Sequence, residues 1–174
     1  MSRLNWWPMI GIAVSAIALL APCYAADTDQ APNVTLESAK VGPRALEPLT
    51  ERSVLRDYSF AWASLARALD SNSVEPLDGP FAGSAAEWLR DTVADQRRNG
   101  LSARYLNQTH RLEAVFYAPE GDLIELHDTA DYDLQLRDGD KNIYNRHVTR
   151  HYVVLMTPSA DRWVVRQLQA VPQF

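Results

Sequence analysis

The sequence predicts an α+β fold: N-terminal helices packed on a curved antiparallel sheet of about four strands. Three observations carry this. Two stretches, from Thr50 to about Asp70 and from Ser84 to about Arg98, repeat their apolar residues at spacings of three and four. After Leu101 the repeat changes to two, over four runs at about 107–117, 123–137, 143–157 and 162–171. The breaks between those runs are of hairpin length, which implies that consecutive strands pair antiparallel. Helices followed by a meander of strands give one sheet with helices on one face.

The chain begins with a segment of a different character. Met1-Ser2-Arg3 is a short positive start, and Leu4 to Ala26 carries no charge. Cys23-Tyr24-Ala25 places small residues three before and one before a cut after Ala25, the pattern of an export signal over residues 1–25. Two rivals stay open. The uncharged run is long enough to remain as an uncleaved anchor, since about 20 residues span a bilayer. Leu20-Ala21-Pro22-Cys23 resembles a lipoprotein signal, with a proline that fits it poorly. All three readings put the domain outside the cytoplasm, periplasmic, secreted or membrane-anchored.

Residues 26–49 hold three prolines and no sustained period, which reads as a flexible tether before a domain at 50–174. In the first helix, Val54, Tyr58, Ala61, Trp62, Leu65 and Leu69 share a face, with Thr50 as its cap. Pro76, Gly79 and Pro80 punctuate the loop that follows. The second helix opens on Ser84-Ala85-Ala86-Glu87, a capping-box pattern, and its inner face reads as Trp88, Leu89, Thr92 and Val93. Arg97 and Arg98 suit the negative helix end, and Gly100 stops it.

Charge narrows the function classes. The chain has a formal net charge of −5; without the leader, 16 basic residues face 22 acidic ones, a net −6. A nucleic-acid partner normally demands a basic face, so none is expected. Attraction to anionic lipid is likewise excluded, leaving membrane contact only through an uncleaved N-terminal segment. The single cysteine lies in the leader, so the domain after it has no disulfide and no cysteine metal site.

In the second strand, Ile124, Leu126, Ala130, Tyr132, Leu134 and Leu136 share the apolar parity, and Asp128 breaks it. A buried carboxylate is expensive without hydrogen bonds. Asp128 therefore marks either a bulge or exposed mouth position, or a polar group lining a cavity. Of the four histidines, His147 and His151 are four apart in a strand run, about 13 Å from each other, too far for one metal ion. No metal or cofactor is expected. Gly-rich phosphate loops, Gly-x-Ser-x-Gly elbows and His-Glu-x-x-His pairs are absent from the sequence. Trp62, Trp88 and Trp163 read as core.

Trp62 with Ala66-Arg67-Ala68, Leu77-Asp78-Gly79-Pro80, Trp88, Gly100 to Tyr105, Asn142 to Tyr144, Arg150 to Tyr152 and Trp163 carry a resemblance. The chain resembles the cone-like fold of the nuclear-transport-factor-2-like (NTF2-like) superfamily. More narrowly, it resembles the inter-membrane-space domain of chloroplast-division proteins and their cyanobacterial relatives. The resemblance spans roughly Val54 to Leu168 and implies a non-enzymatic domain that receives peptide segments of membrane partners. Those proteins carry long regions ahead of this domain, where this chain has only leader and tether, so division itself does not follow. Enzymes of the superfamily often set a carboxylate, a tyrosine and a histidine inside the cone. Asp128 and Tyr132, with His151 or His110, are the matching candidates here.

The expectation is an exported non-enzymatic binding domain that takes a protein or peptide partner, or a small apolar ligand, in the cavity or groove of its sheet. The alternative is a small isomerase or dehydratase using Asp128 and Tyr132. A structural spacer or a homodimerising unit completes the set.

Overall fold

The computed structural model describes residues 31–174. The leader, with its three alternatives, lies outside the described residues, as do the first residues of the tether. The elements run β1 (Asn33–Glu37), β2 (Gly42–Pro43), α1 (Pro48–Ser71), a 3-10 turn (Glu75–Leu77), α2 (Gly83–Arg98), β3 (Leu101–Tyr117), β4 (Ile124–Asp138), β5 (Lys141–Pro158) and β6 (Trp163–Val171). Two helices pack on one sheet of six strands, ordered β1-β3-β4-β5-β6, with β2 also on β3. The α+β class and the antiparallel run β3 to β6 are as expected.

The tether is corrected. Within it, β1 and β2 pair parallel to β3, which makes the sheet mixed. Val34 and Leu36 alternate toward the core, and this short period was hidden among prolines and polar residues. The Ser59 hydroxyl donates to the Pro32 carbonyl at 3.3 Å, and Arg44 donates to the Pro119 carbonyl at 3.1 Å, so the segment is held to the domain.

Both helix starts also differ. Pro48 stands in the first turn of α1, where its missing N–H costs nothing, and the capping position falls to Glu47 rather than Thr50. In α2 the Ser84 hydroxyl donates to the Arg166 carbonyl of β6 at 3.2 Å instead of closing a capping box. The buried face of α2 is Ala85, Ala86, Leu89 and Val93. Trp88, one position off that stripe, is 47% exposed, so it is not core.

β3 begins six positions earlier than its periodicity implied. Asn107 takes a left-handed φ of 54°, and the pairing with β4 slips between Leu106 and Thr109. The slip changes parity, so Ala103 and Tyr105 face inward before it, and His110, Leu112 and Ala114 after it. The inner face is thus built of cross-strand rows. Tyr105 lies by Leu134 and Arg146, His110 by Ala130 and Arg150, Leu112 by Asp128 and Tyr152, and Ala114 by Leu126 and Val154.

α1 covers the middle of that face with Tyr58, Trp62, Leu65 and Leu69, all buried. Asp57 is buried too, and its carboxylate accepts the Trp163 backbone N–H at 2.8 Å, tying α1 to β6. The outer edge of β6 is partly covered by the loop before α2. Ala82 N–H reaches the Val165 carbonyl at 2.9 Å, and Val165 N–H reaches Pro80 at 3.0 Å. Among the described residues β5 has no such cover along its first half, because β6 begins to pair with it only at His151.

Candidate functional site

Asp128 sits in regular register between Leu112 and Tyr152 and is fully buried. The bulge or exposed-mouth expectation is therefore wrong: the carboxylate is tolerated because the opposing helix supplies a partner. The Tyr58 hydroxyl, projecting from the inner face of α1, donates to Asp128 Oδ2 at 2.7 Å. His110 Nδ1 lies 2.8 Å from the same oxygen. A carboxylate only accepts, so Nδ1 carries the proton of that bond. All three residues have no exposed surface. Among the described residues, Asp128 Oδ1 and His110 Nε2 have no hydrogen-bond partner.

An aromatic layer closes over this cluster. The Trp62 ring lies 4.3 Å from the His110 ring, and Tyr58 meets His110 edge-on at 5.7 Å. Tyr105 and Tyr132 stack at 4.5 Å, and Trp62 contacts Tyr132 at 6.4 Å and Tyr152 at 5.5 Å. Burial, with the Asp128 charge second, pushes the Tyr58 phenol well above the ordinary tyrosine value. Burial also raises Tyr105 and Tyr152, against which the nearby Arg150 cation acts weakly. These phenols are donors at neutral pH.

Of the four residues proposed from sequence, the structure brings Asp128 and His110 together. Tyr132 shares their face but stacks in the aromatic layer. His151 is on the opposite face, where its Nδ1 lies 3.2 Å from the Thr129 hydroxyl and its ring meets Phe174 edge-on. Tyr58 was missed as a polar partner because its place in the helix stripe accounted for it. A buried tyrosine needs a partner for its hydroxyl, and that was the available signal.

Among the described residues, cavities lie away from the cluster. A groove of about 370 Å³ on the outer face is bordered by Glu37, Lys40, Arg111, Glu113, His127 and Phe174, whose ring stacks on His127 at 4.3 Å. A shallower one of about 300 Å³ is lined by Arg56, Asp57, Phe60, Asp161 and Arg162. Among the described residues no group of three or more His, Cys, Asp or Glu is placed to hold a metal ion.

Among the described residues, open surface also lies at the far half of the sheet. There β5, paired with β4, runs on beyond β6 as an arm, while Asp70 and Asn72 at the end of α1 reach Arg104, Arg137 and Leu101 of the neighbouring strands. On its inner face Tyr105, Leu134, Leu136 and Val148 are only half-buried and Tyr144, opposite Leu136, is 41% exposed; Ile143, at the pairing slip beside it, is 49% exposed. Along residues 141–150, β5 pairs with β4 on one side, and among the described residues nothing pairs with the other. A row of unpaired backbone N–H and C=O groups beside a partly apolar face is a template for an added strand.

No protein-family model matches the sequence, and no curated protein matches it. The fold is nonetheless shared. It is similar to the intermembrane space region of the chloroplast protein ARC6, with a TM-score of 0.60 and 17% identity over 69% of this chain and 95% of that one. Weaker likenesses are to a protein of unknown function from Mycobacterium tuberculosis, with a TM-score of 0.43 and 14% identity over 74% and 78% of the two chains. Another is to a cystatin-like protein of unknown function from Nostoc punctiforme, with a TM-score of 0.39 and 15% identity over 73% and 95%. Among the described residues no helix is long and apolar enough to cross a membrane.

Proposed function

We propose that this chain is an exported, non-enzymatic NTF2-like domain that receives an extended segment of a protein partner along the open half of its sheet. The observation that carries this reading is the unpaired β5 edge at residues 141–150, bordered by half-buried apolar side chains. Main-chain hydrogen bonds at such an edge supply affinity, and alternate side chains entering the inner face supply selectivity. The export pattern of residues 1–25 and the shared fold with an intermembrane space region both fit a partner outside the cytoplasm.

The cone itself is poorly suited to take a ligand. Tyr58, Asp128 and His110 have no exposed surface, and four aromatic rings stand over them. A general acid or base must come within hydrogen-bond reach of its substrate. The enzymatic alternative draws its support from the unpartnered Asp128 Oδ1 and His110 Nε2, the two atoms a polar substrate would address.

Native electrophoresis of the full-length chain from its own envelope tests the binding reading. The chain should migrate in a complex larger than itself. The double substitution Ile143→Lys with Tyr144→Asp should dissolve that complex, while the exposed control Trp88→Ala leaves it intact. A complex that survives the arm substitutions refutes the reading.

A further inference from the structure

The two faces of the arm are chemically different, and the difference specifies the partner. On the outer face of the arm the central acidic side chains of β4, Asp131 and Asp133, are already engaged. Asp131 accepts from Arg111 at 2.7 Å and from the Thr149 hydroxyl at 2.6 Å. Asp133 accepts from Asn107 at 2.8 Å and lies 3.0 Å from His147 Nδ1. On the inner face the exposed Arg146 and Arg150 stand opposite Leu134 and Ala130, with Val148 opposite Tyr132 between them. Among the described residues neither guanidinium has a carboxylate partner. No other described element packs over this part of β5.

We infer that the partner segment is acidic, with carboxylates four residues apart and an apolar side chain midway. In an added strand the residues facing Arg146, Val148 and Arg150 alternate by two, so the carboxylates fall about 13 Å apart on one face. Opposite charges directly across a strand pair are stabilising and like charges are not. That rule also disfavours a second copy of this chain as the occupant. An antiparallel pair centred on the stretch sets Lys141 of each copy opposite Arg150 of the other. This inference rests on the reading of β5 as the receiving edge.

The test uses a labelled synthetic peptide, Thr-Glu-Thr-Val-Thr-Glu-Thr, its Gln twin and its Lys twin, with anisotropy and amide hydrogen exchange as readouts. At low salt the Glu peptide should bind about tenfold more tightly than the Gln peptide, and the gap should close as salt rises. Arg146→Glu with Arg150→Glu should transfer the preference to the Lys peptide, with the unfolding midpoint unmoved because both side chains are exposed. Equal binding of the Glu and Gln peptides, with amides 141–150 protected by both, overturns the charge inference and leaves the edge reading standing. No protection of 141–150 by any peptide overturns both. Binding to anionic vesicles in place of peptides, or self-association through β5, likewise overturns the acidic-segment assignment.

Discussion

Replacing Asp128 by Ala should be among the most destabilising single changes in this domain. Asp128 Oδ2 serves two donors, the Tyr58 hydroxyl at 2.7 Å and His110 Nδ1 at 2.8 Å, and none of the three residues reaches solvent. Removing the carboxylate leaves both donors buried without an acceptor. Each orphaned group costs about 1–3 kcal/mol, so the expected loss is about 2–6 kcal/mol before any cavity contribution. Tyr58→Phe removes one bond and leaves the other, and should cost about 1–3 kcal/mol. A double-mutant cycle of Tyr58→Phe with Asp128→Ala should therefore be clearly non-additive, because the two changes remove the same bond. Urea unfolding followed by tryptophan fluorescence reads this well, since Trp62 lies against His110 and reports on the cluster. An Asp128→Ala loss below about 1 kcal/mol would refute the reasoning. It would mean that water already reaches the cluster, and with water a substrate could too.

Three further outcomes follow from the packing. Asp57→Ala leaves the buried Trp163 N–H without its 2.8 Å acceptor, and should lower stability by about 1–3 kcal/mol in the same urea assay. Gly121 has a φ of +79°, and an added Cβ would stand 2.7 Å from Arg44 Nη1 and 3.1 Å from the Tyr117 hydroxyl. Gly121→Ala should therefore cost about 1–3 kcal/mol, seen as a lowered melting temperature. Burial holds the Tyr58, Tyr105 and Tyr152 phenols above the ordinary tyrosine value, so the folded chain keeps protons that the unfolded chain releases. That contribution is fully present below about pH 10 and is lost as pH rises beyond it, so melting temperature should fall steeply on the alkaline side.

Much of the fold was legible because periodicity survives wherever an element has one buried face. Val54, Tyr58, Trp62 and Leu65 could only be a helix stripe, and Ile124 to Leu136 only a half-buried strand. What periodicity conveyed poorly was any element whose role depends on a distant partner. β1 has just Val34 and Leu36 to place on the core, and its pairing with β3 crosses more than seventy positions of sequence. The left-handed Asn107 broke the alternation of β3 and concealed its first half. Ser84 was misread for the same reason, since Arg166, which diverts the serine, belongs to the last strand.

The candidate site divides along the same line. Asp128 announced itself as a carboxylate on an apolar parity, and His110 was among the residues offered to it. Tyr58 came from an element whose spacing was already accounted for, and only the packing of α1 over β4 joined it to them. His151 was excluded by a face assignment that needed the strand register. The arm was the least legible feature. Its meaning lies in β6 being too short to cover β5, and relative strand lengths are set by pairing rather than by local pattern.

The central claim, that the open edge of β5 receives a partner, is tested most directly by a photo-reactive residue scanned along the chain in its native compartment. A probe at Ile143 or Asn145 should form adducts with another protein, and a probe at exposed Asp95 on α2 should not. Adducts that arise equally from Asp95, or only between copies of this chain, would contradict the account.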